Sequence, residues 1–492
     1  MKRMKAFLLI GIVALAGCAG TGSKRQSTPA NSVNVLVAPF EYRGPAEHSW
    51  LAAGVSDAVV SGFSRVRAVN VFSDSDRAQA MKEMAFGMTG AVRERDIVTV
   101  GGILGARVIF AGSVQVNGSN VRIVARIIDA ESARVERAIT LDGRRESLFE
   151  LQDRVVIGLL DATNQVPSFA QVSPLVRAEE TKAVVIRPTT KPDAYAWYAK
   201  GLRVHFTRPA EAVGYYTKAC AIDADFFQAY TKMGQAYTET NAFADALRCH
   251  ERARGILEGG ALRESVDYAE SLSGTGSVYW GMGESDAARL HHEKALALLA
   301  KIGRRDSGMY ADILGRVGAA YIQKNELAEG IRTSERALDM LQAAGLGNSS
   351  SAINTLINIG AAYVKKGDKA AAMKRFTRSE EIRERIGFVN TRSHAIAMSN
   401  IGSVHFLMGD RDKALASFLR AEEIWEKTGL TNTYDHAMTL SNIGAVYLAK
   451  GDRKTGTAYL QRAAVINAKT GRGDLNRAID AKLKSMNLRR VR

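Results

Sequence analysis

The sequence predicts an α+β multidomain chain: an N-terminal mixed α/β sandwich followed by an all-α solenoid of helix-pair repeats. Three observations carry that prediction. A 42-residue period runs through the C-terminal half, β-rich runs alternate with helical stretches over residues 33–163, and a proline-rich connector at 164–193 separates the two.

Counting from Gly234 in steps of 42 reaches Gly276, Gly318, Gly360, Gly402 and Gly444. Three residues after these glycines stand Tyr237, Tyr279, Tyr321, Tyr363, His405 and Tyr447. Nineteen residues after them stand Ala253, Ala295, Ala337, Ser379, Ala421 and Ala463, each preceded by a basic residue, from Arg252 to Arg462. Several columns held in register over six copies mark a repeat architecture. One period reads as two helices. Ile353, Leu356, Ile357, Gly360, Tyr363 and Val364 share a face at helical spacing. Lys366-Gly367-Asp368 then breaks the pattern, glycine suiting the left-handed residue that ends a helix and aspartate the cap of the next. Gly409-Asp410 and Gly451-Asp452 repeat the break. The second helix turns Ala372, Phe376 and Ser379 inward, and the small residues Gly360 and Ala372 let the two helices approach closely.

These residues resemble tetratricopeptide repeats, helix pairs that stack into a superhelix. The usual spacing is about 34 residues; here roughly eight more follow the second helix. With the Asn-Ile-Gly phrase at Asn358, Asn400 and Asn442, the array is similar to the long-repeat kind of kinesin light chains. A shorter copy surrounds Gly201, so about seven repeats are expected over 194–474, followed by a basic C-terminal helix at 475–492.

The start of the chain reads as an export signal. Lys2, Arg3 and Lys5 precede an apolar run at 6–17 that ends in Leu15-Ala16-Gly17-Cys18. The run is too short to span a bilayer as a helix and has the layout of a signal peptide, 1–17. The cysteine at the cut site resembles that of bacterial lipoproteins, which implies acylation of Cys18 (palmitate among the chains) and a membrane anchor. A plain signal peptide with an incidental cysteine is the alternative. Ala19 after the cysteine resembles the outer-membrane sorting pattern, which implies an anchor in the outer membrane facing the periplasm. Residues 18–32 form a flexible tether with a reach of about 20 Å.

Residues 33–163 read in the order β-α-β-α-α-β-β-β-α. The strands are expected at 33–40, 68–72, 107–116, 120–129 and 134–141, and the helices at 47–63, 74–84, 96–104 and 146–160. Asn117-Gly118 marks a hairpin between two β-rich runs. The phrases Val35-Leu36-Val37-Ala38-Pro39-Phe40, Leu104-Gly105-Ala106-Arg107-Val108-Ile109-Phe110-Ala111-Gly112 and Val121-Arg122-Ile123-Val124-Ala125-Arg126-Ile127-Ile128-Asp129 resemble the TolB amino-terminal-like fold of curli-channel and flagellar lipoproteins. That resemblance implies an envelope assembly part rather than a catalyst. No segment is long enough for the channel member's membrane hairpins. Pro167, Pro174, Pro188 and Pro192 form the connector, in which 183–186 is a candidate edge strand.

The formal net charge of +16 suits an anionic partner, but the basic residues are spread along helices rather than interleaved with aromatics. Nucleic acid is therefore not an expected partner. The basic column from Arg252 to Arg462 reads as a solvated helix face, with an anion stripe as the alternative. Cys220 and Cys249 read as two buried free thiols, with a bridge as the alternative.

Catalytic patterns are missing from the sequence. Residues 101–105 lack the glycine spacing of a dinucleotide site, 451–457 misplaces the lysine of a P-loop, and adjacent His291-His292 diverge on a helix. Asp74 and Asp76 read as caps, and Glu380-Glu381 and Glu422-Glu423 as solvated. No enzyme, metal or cofactor is expected. What remains is binding. The stripe Asn354, Asn358, Ala361 and Lys365, continued by Asn400 and Asn442, faces away from the packed side. An amide both donates and accepts, so it can hold a main chain without demanding a particular side chain. Bridging between neighbouring repeats is the alternative role. The expected function is a scaffold that binds protein partners of an envelope machine through the groove, with self-association through the α/β domain as a further contact. The alternative is an envelope sensor that takes a small ligand in the α/β domain.

Overall fold

The computed structural model describes residues 32–72, 76, 97–98, 101–102, 104–167, 169, 186–187, 189–260, 262–386 and 389–470. The signal peptide, Cys18, the tether but for Ser32, the expected helix at 74–84 but for Asp76, which is helical, most of the connector and the terminal helix lie outside the described residues. The helix expected at 96–104 is described at five positions, all helical. Of the candidate edge strand at 183–186 only Ile186 is described, and it lies in no strand.

The N-terminal unit is one mixed sheet. Its strands are β1 (Val33–Val37), β2 (Glu41–Arg43), β3 (Val69–Val71), β4 (Val108–Asn117), β5 (Asn120–Asp129) and β6 (Val135–Arg144). The order is β3-β1-β4-β5-β6, with β2 parallel to the far half of β4. β1 runs parallel to both neighbours, and β4, β5 and β6 form an antiparallel meander. Asn117 pairs with Asn120 across a tight turn in which Gly118 takes a positive φ of 60°, as hairpin turns require. Two helices, α1 (Trp50–Ser64) and α2 (Leu148–Thr163), cover one face. α1 starts later than position 47, because Ala46–His48 forms a short 3-10 turn. β6 runs on to Arg144, past the expected end at 141, and stays in register with β5.

β1 is buried along its whole length. Val35 and Val37 pack with Val55, Phe63 and Phe110 under α1, while Leu36 and Ala38 point to the opposite face. A central strand covered on both sides reads as a continuous apolar run rather than an alternation.

Seven antiparallel helix pairs follow. They are α3 (Pro192–Val204) with α4 (Pro209–Ile222), α5 (Phe227–Glu239) with α6 (Phe243–Glu258), α7 (Val266–Met282) with α8 (Ser285–Lys301), and α9 (Gly308–Gln323) with α10 (Leu327–Ala343). Then come α11 (Ser350–Lys366) with α12 (Lys369–Ile386), α13 (Arg392–Met408) with α14 (Arg411–Thr428), and α15 (Tyr434–Ala449) with α16 (Arg453–Thr470). Pro192 belongs to α3 rather than to the connector, at the helix start where its missing N–H costs nothing.

The periodic columns have distinct mechanical roles. A Cβ on Gly234, Gly276, Gly318, Gly360, Gly402 or Gly444 would come within 3.0 Å of its partner helix; the nearest groups are His250, His292, Ser334, Phe376, Phe418 and, for Gly444, the Gly456 carbonyl beside Leu460. The glycines thus mark where the two helices of a pair touch. Ala253, Ala295, Ala337, Ser379, Ala421 and Ala463 are fully buried. The turn within a pair needs a positive φ, supplied by Gly283, Gly367, Gly409 and Gly451 and, in the same column, by Asn241 and Asn325. Asparagine is the residue other than glycine that best tolerates this conformation. A further column caps each incoming helix: Ser265, Ser307, Ser349, Thr391 and Thr433 each accept a hydrogen bond from the backbone N–H three residues on. Thr433→Ala is expected to cost about 1 kcal/mol, read as a lower urea midpoint at unchanged slope.

The array wraps the sheet. α3 packs on α1, where the Tyr195 hydroxyl donates to the Gly54 carbonyl at 2.7 Å. Later repeats pass the β3 edge, and repeats four and five cover the far face, where Leu341, Ala344, Leu346, Ala352 and Ile353 join Leu36, Ile109 and Ile128 in one core. The residues that lengthen repeats three and four beyond the usual spacing form the loops that grip this edge. Asn34 donates to the Ala344 carbonyl at 2.8 Å, and the Gly308 N–H donates to Asn70 at 3.1 Å. Arg67 and Arg304 reach the carbonyls of Ile302 and Ser64. An uncovered edge strand invites pairing with other chains; here the loops cover it.

Candidate functional site

The inner face of the array is built from the first helix of each pair. Two columns at the 42-residue period lie on it: Gln228, Glu270, Asp312, Asn354, Ile396 and Met438, and Lys232, Gly274, Arg316, Asn358, Asn400 and Asn442. The α/β domain divides this face into two parts.

Over repeats two to five the domain forms a roof. Beneath it is a cavity of about 520 Å³, lined from above by residues such as Asp57, Ser61 and Arg65 and from below by the two columns as far as Asn354. The roof is fastened by a bidentate ion pair. Arg65 donates to both carboxylate oxygens of Asp267, at 2.9 and 3.1 Å, with the two side chains 7% and 13% exposed. Asp76 caps the array, accepting from the Ser350 N–H at the start of α11 at 2.8 Å. Inside, Asp312 takes the Arg316 guanidinium and the Ser351 hydroxyl, and Glu270 takes the Gln235 amide. Glu239 opens onto the concavity. Surrounding protein raises its carboxyl pKa, against the pull of Arg392 on α13 across the groove.

Over repeats six and seven no described hydrogen bond or ion pair reaches the α/β domain. Asn358 in repeat five, Asn400 in repeat six and Asn442 in repeat seven stand one repeat apart, half-buried and without a hydrogen-bond partner among the described residues. Met438 beside them is 40% exposed. The face turns from charged under the roof to amide and apolar in the open half. Asn354 lies under the roof rather than in the open groove. Lys365 bridges repeats, its ammonium donating to the Ile322 carbonyl at 2.8 Å.

Other sequence candidates resolve as structure. Cys220 and Cys249 are buried free thiols, both pushed up to about 12, by burial first. His292 is buried against Gly276, while His291 stacks on Tyr279. Glu380 and Glu422 are not solvated: Glu380 pairs with the fully buried Arg383, and Glu422 with Arg462 and the Tyr459 hydroxyl. Glu381 and Glu423 remain exposed and take Arg378 and Arg420 of the basic column. Among the described residues no cluster of three or more His, Cys, Asp or Glu is placed to hold a metal, and no helix is long and apolar enough to cross a membrane.

Sequence reasoning missed the charged half of the inner face. Its signal was present: Gln228, Glu270, Asp312 and Asn354 share the period of the glycines. It was hidden because the residue type changes from copy to copy.

The tetratricopeptide repeat family model matches residues 225–301, 309–385 and 393–466. Among solved structures, BtubC (BKLC) from P. vanneervenii is similar at 22% identity and a TM-score of 0.38, covering 47% of this chain and 92% of that one. The nearly identical TPR-like repeats of a putative kinesin light chain from Podosopora anserina are similar at 17% identity and 0.32, covering 41% and 96%. Aspartyl phosphate phosphatase F from Bacillus subtilis is similar at 13% identity and 0.46, covering 65% and 88%. No curated protein sequence matches the chain. The helix pairs within 225–466 match tetratricopeptide repeats, and such repeats suggest a protein-interaction scaffold.

Proposed function

We propose that this chain is a non-catalytic scaffold that holds an extended segment of a partner protein in the open half of its groove, while anchored through acylated Cys18 in the outer membrane and facing the periplasm. The observation that carries the groove reading is the row Asn358, Asn400 and Asn442: three half-buried amides at equal spacing, none bonded to another described residue. Each offers a donor and an acceptor to a passing main chain. In repeats two to four the equivalent positions are Lys232, Gly274 and Arg316, so the amides take over the column from repeat five onward. The anchor reading rests on the sequence at 1–18. A partner from an envelope machine of secretion, motility or cell-wall synthesis follows from that location.

Self-association through the α/β domain has less support. One sheet edge and one face pack on the array, and the free edge β6 carries Glu136, Arg137, Asp142 and Arg144, charges that discourage strand pairing.

The test of the groove is the triple variant Asn358→Ala, Asn400→Ala, Asn442→Ala. Crosslinking in intact cells identifies the partner, and purified proteins then give the affinity. A lost hydrogen bond is worth about 1 kcal/mol, so the three together are expected to weaken capture roughly a hundred-fold with helix content unchanged. Unchanged affinity sinks the groove reading. For the anchor, a clickable palmitate analogue is expected to label the wild type but not Cys18→Ser.

A further inference from the structure

The roofed cavity is chemically unlike the rest of the molecule. The chain carries a net +16, yet carboxylates outnumber cations on the cavity wall. All four of those cations are engaged: Arg65 by Asp267, Arg304 by the Ser64 carbonyl, Arg316 by Asp312, and Lys232 in a polar contact of its own. Two carboxylates have no cation within ion-pair distance among the described residues. Glu270 is held by the Gln235 amide at 3.0 Å, and Glu239 feels Arg392 only across the groove. The two belong together, because Gln235 and Glu239 are one helical turn apart on α5 and Gln235 touches Glu270.

A second, independent observation comes from the buried polar atoms. His250, 1% exposed on the cavity wall, leaves Nδ1 without a partner, and Gln228 leaves its amide oxygen buried and unpaired. Buried polar groups are normally satisfied, and each exception calls for an explanation. An amide oxygen, two carboxylates and a neutral imidazole all offer acceptors and call for N–H donors. Phe206, half exposed on the same wall, gives methylenes or a cation an aromatic face. The volume falls in the range of roughly 300–1,000 Å³ typical of small-ligand sites.

We infer that the cavity between the α/β domain and repeats two to five is a binding site for a ligand bearing ammonium or guanidinium groups, seated on Glu239 and Glu270. The site is separate from the open half-groove and independent of it. The chemistry has two sources, a free polyamine or amino-acid amide, and a lysine or arginine side chain of an inserted peptide.

Calorimetric titration of the full mature chain distinguishes them with spermidine, argininamide and an acetylated tri-lysine amide, and with glutamate as an anionic control. The expected result is saturable one-to-one binding of at least one cationic probe and none of glutamate. The Glu239→Gln, Glu270→Gln double variant is expected to lose ten-fold or more in affinity. The triple asparagine variant of the open groove is expected to bind the probe unchanged. Binding of the free amines assigns a small-molecule site, and binding of the peptide alone assigns a side-chain socket. Absence of saturable binding by every cationic probe, or undiminished affinity in the double variant, overturns the inference. If the double variant melts early, Phe206→Ala supplies the second reading, with an expected loss of about three-fold in affinity at unchanged melting temperature.

Discussion

Replacing Arg65 with alanine is expected to destabilise the protein by about 3–5 kcal/mol, the range for removing one partner of a buried ion pair. The cost comes less from the lost attraction than from Asp267, left charged at 13% exposure with no cation in reach. Lysine in place of Arg65 is expected to recover only part of it, since a point charge cannot make the two parallel bonds of a guanidinium. Removing both partners in Arg65→Ala, Asp267→Ala is expected to cost less than either single change, because no orphaned charge remains. Urea unfolding followed by helix circular dichroism checks all three. In the wild type the domain and the array share cores and are expected to unfold together. In Arg65→Ala the curve is expected to broaden or split as the roof separates from the repeats. An unaltered midpoint and slope would show that the pair does not fasten the roof.

The second large effect is acid sensitivity. His250 and His292 occupy the column that holds Phe376 and Phe418 in later repeats. Burial holds their pKa values down, to about 4 and about 3, with Arg254 and Arg316 pushing the same way. An unfolded histidine titrates near 6.5. Below that pH the unfolded chain takes up protons that the folded chain refuses, so stability present at neutral pH is lost as the pH falls from about 6.5 toward 4. For His250 alone the loss is about 3 kcal/mol by the end of that window. His250→Phe and His292→Phe install the side chain that later copies of the repeat already accept against the same glycine column. They are expected to flatten the dependence of melting temperature on pH between 7 and 4.5. Curves for variant and wild type that stay parallel would remove these histidines from the acid response.

The repeat period was legible because it is a contact repeated in space. Each glycine marks a close approach of the partner helix, so the glycine column recurs while the side chain it meets varies from His250 to Phe376. The sheet was legible for a similar reason: β4 and β5 are long, strongly β-rich and joined by Asn117-Gly118. The docking of one unit on the other was not. It depends on Asn34, Arg65, Asn70 and Asp76, single polar residues whose partners lie two to three hundred positions away. A lone asparagine in a strand carries no local sign of a carbonyl waiting at Ala344. The same blindness explains Asp76, which carries no local sign of its bond to Ser350. It also explains Glu422, whose partner Arg462 lies in the next repeat. At the inner face the asparagines were found because their type is constant from copy to copy. The charged positions were not, because complementing a varied surface needs a different residue in each repeat.

The wrapping of the sheet by the repeats has a consequence for biogenesis. The first 163 residues emerge from the ribosome well before the loops around Ala344 and Ser350 that complete them. Until those loops arrive, the core around Leu36 and Ile109 lacks the apolar residues Leu341, Ala344, Leu346, Ala352 and Ile353 that complete it. The early segment acts as a mandrel, and the helices wind onto it in the order they are made. Truncations that stop short of the fifth repeat should therefore yield sticky, chaperone-dependent products even though every strand of the sheet is present.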